Sequence, residues 1–443
     1  MGRLITPSDI DGFELFAQRA QKVKRVAIIG DSFVGGSGST DPKTFGVPLA
    51  SALRAKYGDA GAGYIPVADA KMAGLGHTAN FFGFNSLPNS NSFTKWNDNA
   101  YHPKAFNGLG YYRAGGAGGT DGNESVYYVP NVADSFKRGV ADTMAYVAVY
   151  FTLVTAKAGF LIRQNDQSLS AASFVSSGAA FTGSVSGTTL TASSVTGIIP
   201  RAGAAISGGV SAGTIITSNG TGNGSAGTYG VNNSQMVGST SMTVEGNTCA
   251  ATGEPQMILH RLDPAKSNSV QITGVYGDVI IHGVEYFNGA SGVVISDFGQ
   301  GGTTAYQWAS LDDAAQRSLW RLSNFDQVIV SLGMNDRTYM EPAFFGDSIA
   351  TIVSRIQACS RTKVLLARQT DASNAGSTYQ QYYDEVLQNV ALAMGCGYVD
   401  ERACAGFADY ATANAAGLML DGVHRNAAGN TLMGAFYADR MSL

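Results

Sequence analysis

The sequence predicts an α/β fold in which a parallel sheet is covered by helices on both faces and is interrupted by an inserted antiparallel β-sandwich. Two observations lead to this prediction. At both ends of the chain, short apolar runs alternate with segments of helical periodicity, which is typical of parallel strands joined by helices. Between these ends, short apolar runs are separated by Gly, Asn and Asp turns, and no amphipathic helix is evident.

The α/β pattern begins with an apolar run over residues 25–30 that ends in Gly30, which indicates a buried parallel strand. Helical spacing follows over residues 45–57, and Gly58 ends that helix. From residue 292 the alternation resumes and continues to the end of the chain. The predicted strands there are 292–296, 327–332, 363–367 and 397–399, and the predicted helices are 304–322, 343–359, 379–394 and 427–441.

The central part of the chain predicts short strands at 144–151, 159–163, 257–262 and 279–286. We therefore divide the chain into a first part of the α/β domain (1–109, with a Gly- and aromatic-rich loop at 59–109), an inserted β-sandwich (110–288) and a second part of the α/β domain (289–443). Nested in the insert, residues 171–250 carry only two charges, yet apolar residues recur between their Gly turns. This predicts a small β-module rather than a flexible linker.

Composition excludes several classes of protein. Of 443 residues, 44% are apolar, which argues against disorder, and the 56 Gly follow no Gly-X-Y period, which excludes collagen. A net charge of −4 without a basic run argues against nucleic-acid binding. The longest apolar run, 144–154, is too short to span a bilayer, and the charged residues within 1–24 predict no signal-peptide core.

The cysteines predict no metal site. None of Cys249, Cys359, Cys396 and Cys404 forms a CxxC pair, and no His stands at zinc-finger spacing from them. We expect buried free thiols, while a disulfide between two of the last three stays open.

Three short motifs carry the chemistry. Ser32 follows the first strand directly, where open α/β sheets place their sites, and its N–H is suited to face an oxyanion. Asn335 stands at the end of the strand 327–332, from which a side-chain amide can donate into the same cleft. Asp421 and His424 precede the last helix at a spacing that lets one turn deliver a base and the carboxylate that orients it.

Taken together, the motifs Gly30-Asp31-Ser32, Gly333-Met334-Asn335-Asp336 and Asp421-Gly422-Val423-His424 resemble the blocks of the SGNH, or GDSL-type, hydrolases. A further block resembles the stretch from Phe298 to Thr304, with Gly302 as the best match and Gly301 as the alternative. Where the family has a proline after the catalytic histidine, this chain has Arg425. The resemblance covers residues 25–58 and 290–443.

The resemblance implies a three-layer α/β/α fold with a five-stranded parallel sheet and an esterase activity that needs no metal or organic cofactor. Ser32 would be the nucleophile, His424 the general base and Asp421 the residue that orients it. The oxyanion hole would be formed by Ser32, Gly302 and Asn335. The large insert between the first and second blocks would build a wall of the substrate cleft.

The inserted segments suggest the substrate and the setting. Aromatic side chains within 59–115 suit stacking on sugars, and we name Tyr64, Trp96 and Tyr101 as substrate contacts. The small β-module at 171–250, which is rich in Ser, Thr and Gly and is called here the Ser/Thr/Gly-rich module, resembles in its stretches 181–190, 208–217 and 227–235 a β-module common in bacteriophage tail proteins. We therefore expect a virion or extracellular esterase that removes O-acetyl groups from an acylated bacterial surface polysaccharide. It would contact other tail proteins but neither nucleic acid nor membrane, and a homotrimer is one option for its oligomeric state.

Two alternatives remain from the sequence. One is a bacterial carbohydrate acetylesterase, and the other is a non-catalytic receptor-binding module of a phage tail.

Overall fold

The computed structural model describes residues 3–5, 23–35, 42, 44–66, 93–95, 112–114, 125–128, 144–153, 158–164, 173–176, 178–197, 199, 204–222, 224–245, 247–248, 253–266, 270–276, 279–299, 301–339, 341–359, 362–373, 378–441 and 443. Its helices are α1 Ser32–Gly35, α2 Gly46–Tyr57, α3 Ala305–Ala309, α4 Asp313–Ser323, α5 Asp336–Tyr339, α6 Pro342–Ile356, α7 Thr378–Ala393, α8 Tyr410–Ala415 and α9 Ala427–Arg440, with a 3-10 turn at Glu401–Ala403. Its strands are β1 Arg3–Ile5, β2 Val23–Gly30, β3 Gly61–Pro66, β4 Phe93–Lys95, β5 Tyr112–Ala114, β6 Ser125–Tyr128, β7 Tyr146–Leu153, β8 Gly159–Gln164, β9 Ser173–Ser176, β10 Ala179–Gly197, β11 Ala205–Ser207, β12 Ile216–Asn219, β13 Gly227–Glu245, β14 Asn247–Thr248, β15 Pro255–Arg261, β16 Val270–Tyr276, β17 Val279–Phe287, β18 Gly292–Gly299, β19 Gln327–Ser331, β20 Lys363–Arg368 and β21 Gly397–Asp400.

A five-stranded parallel sheet forms the centre of the α/β domain, as predicted. Its strand order is β18-β2-β19-β20-β21, and every neighbouring pair is parallel. In this register Gly30 lies beside both Gly299 and Ser331. The carboxyl ends of the three neighbouring strands β18, β2 and β19 therefore meet at one edge of the sheet, which is where the predicted motifs begin.

Helices cover both faces of the parallel sheet, because its strands are apolar on both sides. In β2, Val26 and Ile28 point toward α2 and α9, whereas Ala27 and Ile29 point toward α3, α4, α6 and α7. The three-layer α/β/α arrangement is confirmed.

The helix predicted at 304–322 is two helices, so this detail of the prediction is wrong. Thr304 begins α3 with a capping box to Gln307, and α3 ends at Ala309. Asp312 then caps α4, since its carboxylate accepts a hydrogen bond from the N–H of Ala315. Two N-caps this close together are a local signal for two short helices.

The central part of the chain forms sheets whose strand pairs are antiparallel, except for the parallel pair of β14 and β9. A seven-stranded sheet has the order β1-β15-β7-β17-β5-β4, with β3 also paired to β17, and a five-stranded sheet has the order β14-β9-β8-β16-β6. Side chains of β7, β15 and β17 share a buried apolar cluster with side chains of β8 and β16. The opposite face of the seven-stranded sheet joins the core of the α/β domain, where Tyr150 and Leu259 share a cluster with Trp320.

Three strands of the seven-stranded sheet, β1, β3 and β4, come from outside residues 110–288. The proposed domain boundaries, and an insert that folds as its own unit, stay predictions.

A buried ion pair joins the seven-stranded sheet to the parallel sheet. Arg25 of β2 binds Glu285 of β17, and the Tyr150 hydroxyl donates to the same carboxylate at 2.8 Å. The side chains of Arg25 and Glu285 are 3% and 0% exposed, so the pair lies within the joint core.

Residues 178–245 contain a four-stranded sheet of β10, β13, β11 and β12 with its own apolar cluster. Two of these strands, β10 and β13, are continuous stretches of 19 residues. Within β10 the chain doubles back near Gly187 (φ 63°), so that the Ser193 hydroxyl donates to the Thr182 carbonyl.

The described cysteines are free thiols, and Cys359 and Cys404 are buried while Cys396 is half-buried. Cys249 lies outside the described residues. No helix in the described part of the chain is long and apolar enough to cross a membrane. Across the same residues, no group of three His, Cys, Asp or Glu side chains could hold a metal ion.

Candidate active site

Ser32, His424 and Asp421 form a hydrogen-bonded chain at the carboxyl edge of the parallel sheet. His424 Nε2 lies 3.0 Å from Ser32 Oγ, and His424 Nδ1 lies 2.8 Å from Asp421 Oδ2. Because a carboxylate only accepts, Nδ1 carries the hydrogen and Nε2 is left free to accept from the serine hydroxyl. Ser32 and His424 stand 392 residues apart in the sequence, and both fall within hydrogen-bond reach, as a nucleophile and its base require.

The Asp421 carboxylate is held by its own loop. Its Oδ1 accepts hydrogen bonds from the N–H groups of Val423 and His424, both at 2.7 Å. Partial burial would raise the pKa of Asp421, but these hydrogen bonds and the one from the His424 ring outweigh it and hold the pKa below its usual value. Asp421 is therefore ionised at neutral pH and is able to stabilise an imidazolium on His424.

Ser32 is the first residue of α1, and the turn that carries it is tightly packed. Asp31 precedes it and accepts from the Phe33 N–H at 3.0 Å. A Cβ added to Gly299 would lie 2.2 Å from the N atom of Gly35, so β18 approaches α1 as closely as only glycine allows. As the first helical residue, Ser32 has an N–H without an acceptor inside the helix.

The predicted oxyanion donors lie on neighbouring loops. Asn335 Nδ2 donates to the carbonyl oxygen of Thr303 at 2.9 Å, which uses one of its two hydrogens. The Thr303 hydroxyl in turn lies 3.4 Å from the carbonyl oxygen of Gly30, next to the nucleophile turn. Gly302, which precedes Thr303, has φ +79°, a conformation that favours glycine. The choice between Gly302 and Gly301 as donor stays a prediction.

Two buried carboxyl groups lie beneath the site. Burial raises the pKa of Asp31 to about 6, although hydrogen bonds from Phe33 and Gln369 counteract the shift. Burial also raises the pKa of Asp336 to about 7, and the nearby charge of Asp31 adds to this effect. Asp336 Oδ1 accepts from the Ala305 N–H at 2.8 Å. It thereby ties α5, which follows Asn335, to the start of α3, which follows the Gly302 loop.

Sequence reasoning missed Gln369, which directly follows β20 and is 5% exposed. Its amide contacts Asp31, Ser331 and Met334, so it touches the ends of two other strands. The sequence did offer one signal for Gln369, because it is a polar residue at the carboxyl end of the strand predicted at 363–367.

A second missed residue is Glu401, the partner of Arg425. The Arg425 guanidinium lies 2.8 Å from Glu401 Oε2 and over the ring of Phe33, at 4.7 Å from its centroid. Glu401 also accepts from the Thr370 N–H and the Tyr437 hydroxyl. Arg425, which stands where the family has a proline, therefore anchors the His424 loop to the core. The hydrogen bonds from Ser32 to His424 and from His424 to Asp421 are present in a chain that carries this arginine.

The three proposed substrate contacts have different outcomes. Tyr64 is 4% exposed, stacks on Phe298 and donates its hydroxyl to the His282 carbonyl oxygen at 2.6 Å. It is a core residue of β3, so the structure does not bring it to the cleft, and its proposed contact with substrate is corrected on that ground. Trp96 and Tyr101 lie outside the described residues.

Comparison with protein families agrees with this geometry. Residues 276–432 match the model of the GDSL-like Lipase/Acylhydrolase family, so the chain contains a GDSL-type lipase/acylhydrolase domain. That match includes the Asn335 and Asp421–His424 motifs, whereas Ser32 lies before it. The roles of the individual site residues stay predictions.

Among solved structures, a peptidoglycan O-acetylesterase matches 99% of this chain and 97% of its own, with 15% identity and a TM-score of 0.53. At this identity the likeness is one of fold alone. A putative GDSL-like lipase from Parabacteroides merdae has 14% identity over 33% of this chain and 72% of its own, with a TM-score of 0.28. A carbohydrate acetylesterase from Sinorhizobium meliloti has 19% identity over 33% and 77%, with a TM-score of 0.26. No curated protein matches the chain in sequence.

Proposed function

We propose that this chain is a serine esterase of the carbohydrate O-acetylesterase class. The observation that carries the proposal is the hydrogen-bonded chain from Ser32 Oγ through His424 to Asp421. It lies in a protein with a GDSL-type domain, and a hydroxyl, a base and an orienting carboxylate in this order are what acyl transfer through serine requires.

In the first step, the Ser32 oxygen attacks the carbonyl carbon of the ester while His424 Nε2 takes the hydroxyl proton. Asp421, ionised because its pKa is held low, stabilises the imidazolium. The negative charge on the carbonyl oxygen is met by the Ser32 and Gly302 N–H groups and by the remaining Asn335 amide hydrogen. His424 then gives this proton to the sugar oxygen as the bond between that oxygen and the carbonyl carbon breaks, which releases the sugar hydroxyl and leaves an acetyl group on Ser32.

In the second step, a water molecule gives a proton to His424 and attacks the acetyl carbon. The second tetrahedral intermediate uses the same oxyanion donors, and its collapse returns the proton to Ser32 and releases acetate. Every proton moves through His424, so these steps call for neither a metal nor an organic cofactor.

As substrate we propose an acetylated bacterial surface polysaccharide, with the chain acting in a phage tail fibre or spike. The support is the resemblance of the Ser/Thr/Gly-rich module to phage tail modules. The full-length likeness to a peptidoglycan O-acetylesterase favours a second candidate of the same chemical class, a bacterial enzyme that acts on cell-wall glycan.

The test is acetate release by the full-length protein. Substrates are p-nitrophenyl acetate, a panel of O-acetylated bacterial polysaccharides and O-acetylated peptidoglycan, and the control is Ser32→Ala. We expect wild type to release acetate from the synthetic ester and from at least one glycan. Ser32→Ala should be slower by at least about 10³-fold, since loss of a catalytic nucleophile removes most of the rate enhancement.

The glycan that is deacetylated distinguishes the two candidates. If neither protein releases acetate from any substrate although both are folded, the esterase proposal fails and the non-catalytic binding module becomes the better account. Acetyl transfer to an added sugar acceptor, instead of free acetate, would identify a transferase.

A further inference from the structure

Gln369 connects the two strand ends that carry the proposed nucleophile and the proposed oxyanion donor. On one side its Nε2 atom lies 3.1 and 3.0 Å from the two carboxylate oxygens of Asp31, the residue before Ser32. On the other side the same atom lies 3.0 Å from the carbonyl oxygen of Ser331, the last residue of β19. Its two hydrogens thus serve both strand ends.

The orientation of the Gln369 amide is fixed by its surroundings. Its Oε1 accepts from the Met334 N–H at 2.8 Å, so the oxygen faces the one donor and the nitrogen faces the acceptors. Met334 immediately precedes Asn335. With 5% exposure, the side chain has little water to replace these partners. The amide therefore holds both neighbours of the reacting groups, Asp31 beside Ser32 and Met334 beside Asn335, in a single rigid plane.

We propose that Gln369 is a positioning residue that sets the separation of Ser32 from Asn335. The nucleophile can then attack the same carbonyl group whose oxygen the oxyanion donor binds. This inference rests on the proposed esterase function. It has a chemical reason, because acyl transfer depends on placement to a fraction of an ångström, and a shift of about 1 Å costs on the order of 10²-fold in rate. Gln369 acts through its neighbours, without contact with the substrate.

The test compares Gln369→Met with Gln357→Met on p-nitrophenyl acetate. Gln357 follows α6 and donates its amide to the Met394 carbonyl oxygen at 2.8 Å, near the starts of β20 and β21 and therefore at the sheet edge opposite the site. Both changes delete hydrogen bonds of a glutamine amide, but only one lies between the site loops. We expect kcat to fall about 10²-fold in Gln369→Met, with KM changed by less than about threefold, and to stay near wild type in Gln357→Met.

Gln369→Glu keeps the shape of the side chain and adds a pH signature. The carboxyl group that this change introduces must hold a proton in order to donate to Asp31, so activity should fall as rising pH removes that proton, at pH values where the wild-type rate is level. The charged groups around Asp31 and position 369 include Arg337, Glu401, Asp336 and Arg368, and all are retained in both proteins. The pH at which activity falls therefore reports the new pair of carboxyl groups.

The outcomes separate this inference from the proposed function. An inactive wild type would overturn the function. An active wild type with Gln369→Met as fast as Gln357→Met, or with a wild-type pH profile for Gln369→Glu, would overturn the positioning role. A Gln369→Met protein that does not fold leaves the pH profile of Gln369→Glu to decide.

Discussion

Glu401→Gln should destabilise the α/β domain by about 3–5 kcal/mol, because it leaves a buried guanidinium without a counter-charge. The Glu401 and Arg425 side chains are 0% and 1% exposed, so solvent cannot compensate for the lost charge. A Gln side chain also keeps only one acceptor oxygen, so its NH₂ group must face either the Tyr437 hydroxyl, which donates to Oε1, or Arg425 and the Thr370 N–H, which donate to Oε2. The expected cost is a large part of the stability of an ordinary domain.

The assay is urea unfolding followed by tryptophan fluorescence. Trp308 and Trp320 lie in the core of the α/β domain and report its transition. Arg317→Met is the matched control, since Arg317 pairs with Asp313 at 2.8 Å on the surface, where such a pair contributes about 1 kcal/mol or less.

A double change, Glu401→Met with Arg425→Met, tests the cause. Replacing both charges by apolar side chains of similar length removes the unpaired ion, so the double variant should be more stable than Glu401→Gln. The reasoning is refuted if Glu401→Gln costs no more than Arg317→Met, or if the double variant is less stable than Glu401→Gln.

Three further predictions address single residues. Asn335→Ala should lower kcat by about 10²–10³-fold with little change in KM, because an oxyanion donor acts mainly in the transition state. Steady-state kinetics on p-nitrophenyl acetate measure both constants. An unchanged kcat would show that Asn335 is not an oxyanion donor. Burial raises the pKa of Asp336 to about 7, so its contribution to stability is full below about pH 4 and is lost as pH rises through 7. Asp336→Asn should therefore flatten the fall of the urea midpoint over this range, whereas an equally steep fall would contradict the shift. Tyr64→Phe should cost about 1–3 kcal/mol by deleting the buried hydrogen bond to the His282 carbonyl oxygen, and it should leave KM for the glycan unchanged. A raised KM would show that Tyr64 contacts the substrate after all.

The parallel sheet could be predicted from the sequence because each of its strands is a short run that is apolar on both faces. The site motifs stand where those runs end, as Ser32 does after β2 and Asn335 after β19. Asp421 and His424 are close in sequence, so one loop brings them together. These features are local, and local patterns are what a sequence displays directly.

The buried network beneath the site could not be predicted, since its contacts are long-range. Gln369 and Asp31 are 338 residues apart, and nothing in the sequence around either residue indicates that their side chains are in contact. Tyr64 was misplaced for a related reason, because a stretch rich in glycine and aromatics looks like a surface loop. In the fold, Gly61 and Gly63 let β3 pass within contact of β17 and β18, where an added Cβ would lie 2.1 Å from a carbonyl oxygen. The glycines there permit close packing and leave Tyr64 in the core.

The most direct test of the central claim is covalent labelling of the intact protein with a serine-directed organophosphonate, followed by peptide mass spectrometry. If His424 and Asp421 activate Ser32, wild type should carry one phosphonyl group, on Ser32, and His424→Ala should react far more slowly. Ser32→Ala should carry no adduct. A folded wild-type protein that takes up no phosphonate, or that takes it up on another residue, would contradict the assignment of Ser32 as the nucleophile.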